Sequence, residues 1–175
     1  MKQYIISIIF TLLCFAIFSG CEKDDICSET TPTTPKMVID FYEYLNPSIK
    51  KNFKKIEIIE IDNPHSILEF LNTNRILLPL RTDSPQSSYV FRLTYTNINT
   101  DVINEDLVQI RYVKEDIYIS RACGYKSNFI LENSEPLNSN PTVTDYGNDE
   151  LWIKEYIVRQ SVITNENETH LDILF

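Results

Sequence analysis

Between Ser88 and Thr96 the side chains of Tyr89, Phe91, Leu93 and Tyr95 fall at every second position, and Val108, Ile110 and Tyr112 repeat the pattern further on. In an extended chain such positions lie on one face, whereas a helix would scatter them around its axis. The two rows therefore require sheets. The aromatic row is read as half of a hydrophobic core, with a ligand platform as the alternative.

Strand signals recur on both sides of these rows. Met37 to Leu45 is rich in Val, Ile, Phe and Tyr and stops at Asn46-Pro47, and Phe53 to Ile61 shifts its period at Ile58-Ile59, which fits a bulged strand. Arg75 to Leu80 is expected to pair with Ser88 to Thr96 across the polar stretch 82–86, with the next turn at Asn97 to Asp101. Leu107 to Lys114 and Ile117 to Lys126 suggest a hairpin across Glu115-Asp116, and Leu151 to Thr164 and Leu171 to Phe175 another across 165–168. Gly124, beside Cys123, marks a bulge or a backbone turn. Asn63-Pro64 before Ile67, Leu68, Phe70 and Leu71 has the form of a capped first turn with helical spacing and predicts one short helix. Residues 132–148, polar and carrying two prolines, are expected to be the longest loop. The expected fold is all-β, about seven to nine antiparallel strands in a two-sheet β-sandwich, immunoglobulin-like in general architecture, with one short helix.

The chain opens with a segment foreign to that fold. Lys2 precedes an apolar run from Tyr4 to Phe18 broken only by Ser7 and Thr11, the form of a signal-peptide core. The run falls short of the about 20 apolar residues that span a bilayer. Phe18-Ser19-Gly20-Cys21 resembles a bacterial lipobox, in which the thiol receives diacylglycerol before cleavage on its amino side; Phe18 stands where an aliphatic residue is more usual. The expectation is a lipoprotein signal peptide over residues 1–20, lipidation at Cys21, an arm over 21–36 and one domain over 37–175, held in an outer membrane by acyl chains. An ordinary secretory peptide ending at a cysteine is the alternative. Glu22, Lys23, Asp24 and Asp25 resemble a lysine-plus-acids sorting signal of surface lipoproteins, against which stands a solvated linker. Both the periplasmic and the surface face of the membrane fit.

Loss of the leader removes Lys2 alone among charged residues, taking 16 basic residues to 15 against 25 acidic, a formal charge of −10. A field of that sign makes nucleic acid an unsuitable partner. With Cys14 in the leader and Cys21 carrying lipid, Cys27 and Cys123 remain as an even pair in an oxidising compartment and are expected to form a disulfide that fastens the arm to the body. A reactive thiol at Cys123 is the competing reading.

Cys21 to Cys27, Thr31-Pro-Thr-Thr-Pro35, Lys36 to Tyr42 and Ser120 to Lys126 resemble an uncharacterised family of Bacteroidota envelope lipoproteins, over the whole mature chain. The resemblance brings no activity and no catalytic residues. It implies an envelope lipoprotein and a gene neighbourhood that includes an outer-membrane β-barrel protein, a hint at a partner.

Two glycines in the mature domain leave no phosphate-cradling loop, so neither a nucleotide nor another cofactor is expected. His65 and His170 stand apart and read as surface or turn histidines, and no metal site is expected. Asp145, Asp149 and Glu150 around Gly147 read as a solvated acidic loop in preference to a calcium loop. The leading expectation is therefore a non-enzymatic module that binds an envelope protein through an edge strand or its long loop. The alternative is glycan capture on Trp152 and Tyr156, which requires an exposed tryptophan ring. A hydrolase with carboxylates brought together by folding is the third, and requires a pocket holding two acids.

Overall fold

The computed structural model describes residues 26–132 and 140–175. The leader, Cys21 and the Glu22 to Asp25 stretch lie outside the described residues, as does the 133–139 part of the expected long loop. Among the described residues there is no helix. Twelve strands follow one another: β1 (Met37–Glu43), β2 (Asn46–Lys50), β3 (Phe53–Glu60), β4 (Asn63–Thr73), β5 (Arg75–Leu78), β6 (Gln86–Asn97), β7 (Thr100–Ser120), β8 (Gly124–Leu131), β9 (Thr142–Asp145), β10 (Glu155–Val158), β11 (Val162–Ile163) and β12 (Leu171–Leu174). The chain divides into two compact units, a smaller one of residues up to Pro32 with Tyr118–Lys126, and a larger one of Thr33–Ile117 with Ser127–Phe175.

In the larger unit the strands form two sheets. One runs β10-β12-β1-β2, with β5 also on β1; the other runs β11-β8-β7-β6-β3-β4, with β9 also on β7. Alternation decides which side chains meet between them. Met37, Ile39 and Phe41 of β1 and Leu171 and Ile173 of β12 join Ile56 and Ile58 of β3, Phe91 and Leu93 of β6, and Val108, Ile110 and Tyr112 of β7 in one apolar cluster. Two sheets sharing a core in this way have the arrangement of a β-sandwich. The aromatic row is thus core as far as Leu93, while Tyr95 is 40 % exposed.

Several expectations are corrected. Asn63 to Leu71 is not a helix but most of β4, paired with β3 in the register Ile56↔Phe70 and Ile58↔Leu68. Its four apolar residues share one face only at helical spacing; in a strand they divide two and two between the faces. The reversal at Ile61-Asp62 lays them along β3, and there the core-facing set is Leu68 and Phe70. β5 does not pair with β6; it lies on β1 in the other sheet, Ile39 opposite Ile76. Pairing is not wholly antiparallel, because β1 and β12 run parallel from Ile39↔Leu171 to Tyr42↔Leu174. β7 passes through Glu115-Asp116 unbroken and the chain turns at 121–123, where Gly124 takes a φ of +68°, a conformation that glycine adopts without steric cost. The β6–β7 turn falls at Ile98 and Asn99, both with positive φ, as a two-residue hairpin with the native twist requires. Residues 142–145 of the expected loop are a strand, β9, on β7.

Candidate functional site

The end of the seven-stranded sheet is β4, an eleven-residue strand bonded to β3 alone. An edge strand turns alternate N–H and C=O groups toward solvent, and protective lysines or inward charges are the usual means of blunting it. β4 has Glu69 as its one acid and no lysine, with Pro64 near its start. On its outward face Ile67 and Leu71 are 50 % and 56 % exposed. On the other face Leu68 and Phe70 reach the core edge without being covered, and with Leu77 and Pro79 they line a groove of about 860 Å³ that Lys36 and Glu166 also border. The Lys36 N–H donates to Glu166 Oε1 at 2.9 Å, which ties down one margin of the groove. An unpaired backbone edge beside apolar pockets can take up an extended peptide by strand addition, with main-chain bonds for affinity and pockets for side-chain selection.

On the outer face of the five-stranded sheet lies an acid-base cluster. Asp40 accepts from Arg75 Nε at 2.6 Å and Nη2 at 2.7 Å, from Lys50 Nζ at 2.8 Å and from Thr169 Oγ1 at 2.9 Å. Burial pushes this carboxyl up, but the bonds from Arg75, Lys50 and Thr169 and the Arg75 charge outweigh it and hold it at about 2. Asp172 accepts from Arg159 Nε at 2.5 Å. These partners leave the acids neutralised and covered, an arrangement that holds strands together rather than one that reacts. His170 is a correction to its surface reading: it is 1 % exposed, and its Nδ1 accepts the Val38 N–H at 2.8 Å. His65 lies exposed on β4.

Trp152 is 6 % exposed. Its ring stacks with Phe41, meets Phe175 edge-on, and donates its indole N–H to the Phe91 carbonyl at 3.1 Å. No face of that ring is presented to a sugar. Tyr156 is half-buried against the core. The Trp152 segment is pinned by Asp106, whose Oδ2 accepts the N–H groups of Trp152 and Ile153 at 3.1 and 2.8 Å. Burial pushes the Asp106 carboxyl up to about 6 against those two donors. It is fully buried, and its two backbone bonds fix the Trp152 segment against the core. Asp145 accepts backbone N–H groups from Asn148, Asp149 and Glu150, so the acidic loop is organised around its own amides. Among the described residues no group of three His, Cys, Asp or Glu side chains is placed to hold a metal ion.

In the smaller unit Cys27 and Cys123 stand at disulfide distance, with Cα atoms 5.0 Å apart. The Cys123 N–H donates to Ser120 Oγ at 3.1 Å. Tyr118 and Tyr125 meet edge to face with ring centres 5.3 Å apart.

The β4 edge and its groove escaped the sequence reading because the helix reading concealed the strand. Asp40 and Asp106 did leave a signal: Asp40 is the one acid in the apolar run Met37 to Phe41, and Asp106 is in phase with Val108, Ile110 and Tyr112. A model of a family of unknown function (DUF6452) matches residues 55–175, and the chain belongs to that family. No curated protein and no solved structure matches it.

Proposed function

We propose that this member of the DUF6452 family is an outer-membrane lipoprotein, anchored through acyl chains on Cys21, that binds an envelope protein by accepting an extended segment of it along β4. One observation carries the reading: an eleven-residue edge strand with a single charged side chain beside a groove of about 860 Å³ that has Leu68, Phe70, Leu77 and Pro79 in its wall and Lys36, Arg75 and Glu166 at its margin. The lipid anchor rests on the lipobox-like Phe18-Ser19-Gly20-Cys21 and on the resemblance to Bacteroidota envelope lipoproteins. The scaffold in this reading is a sandwich of immunoglobulin-like general architecture, a class that carries binding as readily as any chemistry. An outer-membrane β-barrel is a suitable partner, because its extracellular or periplasmic segments offer strands for addition.

The test is photo-crosslinking in intact envelopes from a photoreactive residue placed at Ser66 or Leu71 on β4, with Tyr146 as the control position. The reading expects one envelope protein to be captured from the β4 positions and not from Tyr146. Capture from Tyr146 alone, or none from β4, overturns it.

A further inference from the structure

The geometry of the smaller unit bears on the membrane itself, and this step rests on the lipidation of Cys21 proposed above. Cys27 follows Cys21 by six residues, a span of at most about 22 Å when extended. The Cys27 and Cys123 Cα atoms are 5.0 Å apart, so the turn at 121–123 hangs on that same short leash. Without the disulfide the first fixed point of the chain after the lipid would be β1 at Met37, sixteen residues on and up to about 55 Å away. The cross-link therefore keeps one chosen turn within short reach of the bilayer surface.

The residues at that turn suit the place. Tyr118 and Tyr125 are 54 % and 68 % exposed although their rings touch, and Ile26, next to Cys27, is 85 % exposed. Tyrosine has an apolar body and a polar tip and collects at the headgroup level of membranes. A short tether supplies an effective concentration in the millimolar range, so an interfacial affinity of only about 1 mM keeps the turn engaged.

We infer that the Tyr118–Tyr125 turn, with Ile26, is a membrane-interface anchor that seats among the phospholipid headgroups of the bilayer holding the Cys21 acyl chains. The disulfide makes the anchor effective by shortening the tether.

Full-length protein purified from membranes with Tyr118→Trp or Tyr125→Trp, its Cys21 acylation established by mass spectrometry, is reconstituted into phosphatidylethanolamine–phosphatidylglycerol vesicles with brominated acyl chains. The buried Trp152 supplies the unquenched baseline in the unsubstituted protein. The inference expects the introduced indole to be quenched at least about twofold more than that baseline, and expects Cys27→Ser to weaken the quenching. An acylated protein whose introduced indole matches the Trp152 baseline overturns the inference and leaves the lipoprotein reading standing. A chain that leaves the membrane without acyl chains on Cys21 overturns both.

Discussion

Asp40 and Asp172 stand directly opposite each other where β1 and β12 run parallel, and each is only 2 % exposed. Like charges so placed would repel unless each had its own counter-charge. Arg75 and Lys50 serve Asp40, and Arg159 serves Asp172, with the long side chains lying over the acids and their tips in water. The ion pairs tie β1 to β2 and β5 and tie β12 to the segment after β10, while core packing and the Thr169 hydroxyl bond to Asp40 join β1 to the β12 side.

Stability should respond to acid through Asp40. Its carboxyl lies at about 2 in the fold against 3.8 in the unfolded chain. The unfolded chain thus takes up this proton first as pH falls. The contribution is complete above about pH 4 and is lost toward pH 2, and its size is about 2 kcal/mol after allowing for solvent screening of Lys50 and Arg75. Urea unfolding of Asp40→Asn should show that loss at pH 7 and little loss at pH 2.

Asp106 has the opposite sign. Its carboxyl is raised to about 6 from 3.8, so the folded chain holds the proton longer and stability falls as pH rises from about 4 through 6. Relative to the unsubstituted protein, Asp106→Asn should gain up to about 3 kcal/mol between pH 4 and pH 8. Parallel stability curves for the two proteins over that range would refute the assignment.

His170 is kept neutral by burial, which holds its pKa below the ordinary histidine range against the pull of Glu168 and Glu166. Its stabilising contribution is complete above the unfolded value of 6.5 and declines as pH falls below it. His170→Phe removes the acceptor of the Val38 N–H and should cost about 1–3 kcal/mol at pH 7.5. That cost should shrink in acid, and thermal unfolding at pH 7.5 and 5 measures both.

Ile67 and Leu71 lie on the outward face of β4, half exposed, so lysine at either position leaves the fold within about 0.5 kcal/mol of its stability. Lysine is also the residue that natural edges use against strand addition. Ile67→Lys with Leu71→Lys should therefore weaken partner capture at least about tenfold without moving the unfolding midpoint.

The core was legible where alternation is strict: Tyr89 to Leu93 and Val108 to Tyr112 face inward as their spacing requires, and β1 begins at Met37. The disulfide distance of Cys27 and Cys123 agrees with their being the even pair left over. Partnership between strands was not legible, because pairing of β5 with β1 and of β12 with β1 is decided by which faces close the core and not by proximity in the chain. The 63–71 stretch carried helical spacing, and pairing with β3 overrode it, leaving Ile67 and Leu71 on the outward face. Trp152 stood out as the chain's one tryptophan, a residue suited to sugar stacking; its burial goes with Asp106, 46 residues earlier, which holds its backbone down.

The most direct measurement of the central claim is amide hydrogen exchange across β4, on the protein alone and with its crosslink-identified partner segment. Strand addition predicts that alternate amides within Asn63–Thr73 slow on binding while those of β3, already paired, change little. Binding that slows exchange elsewhere and leaves β4 unchanged would contradict the account.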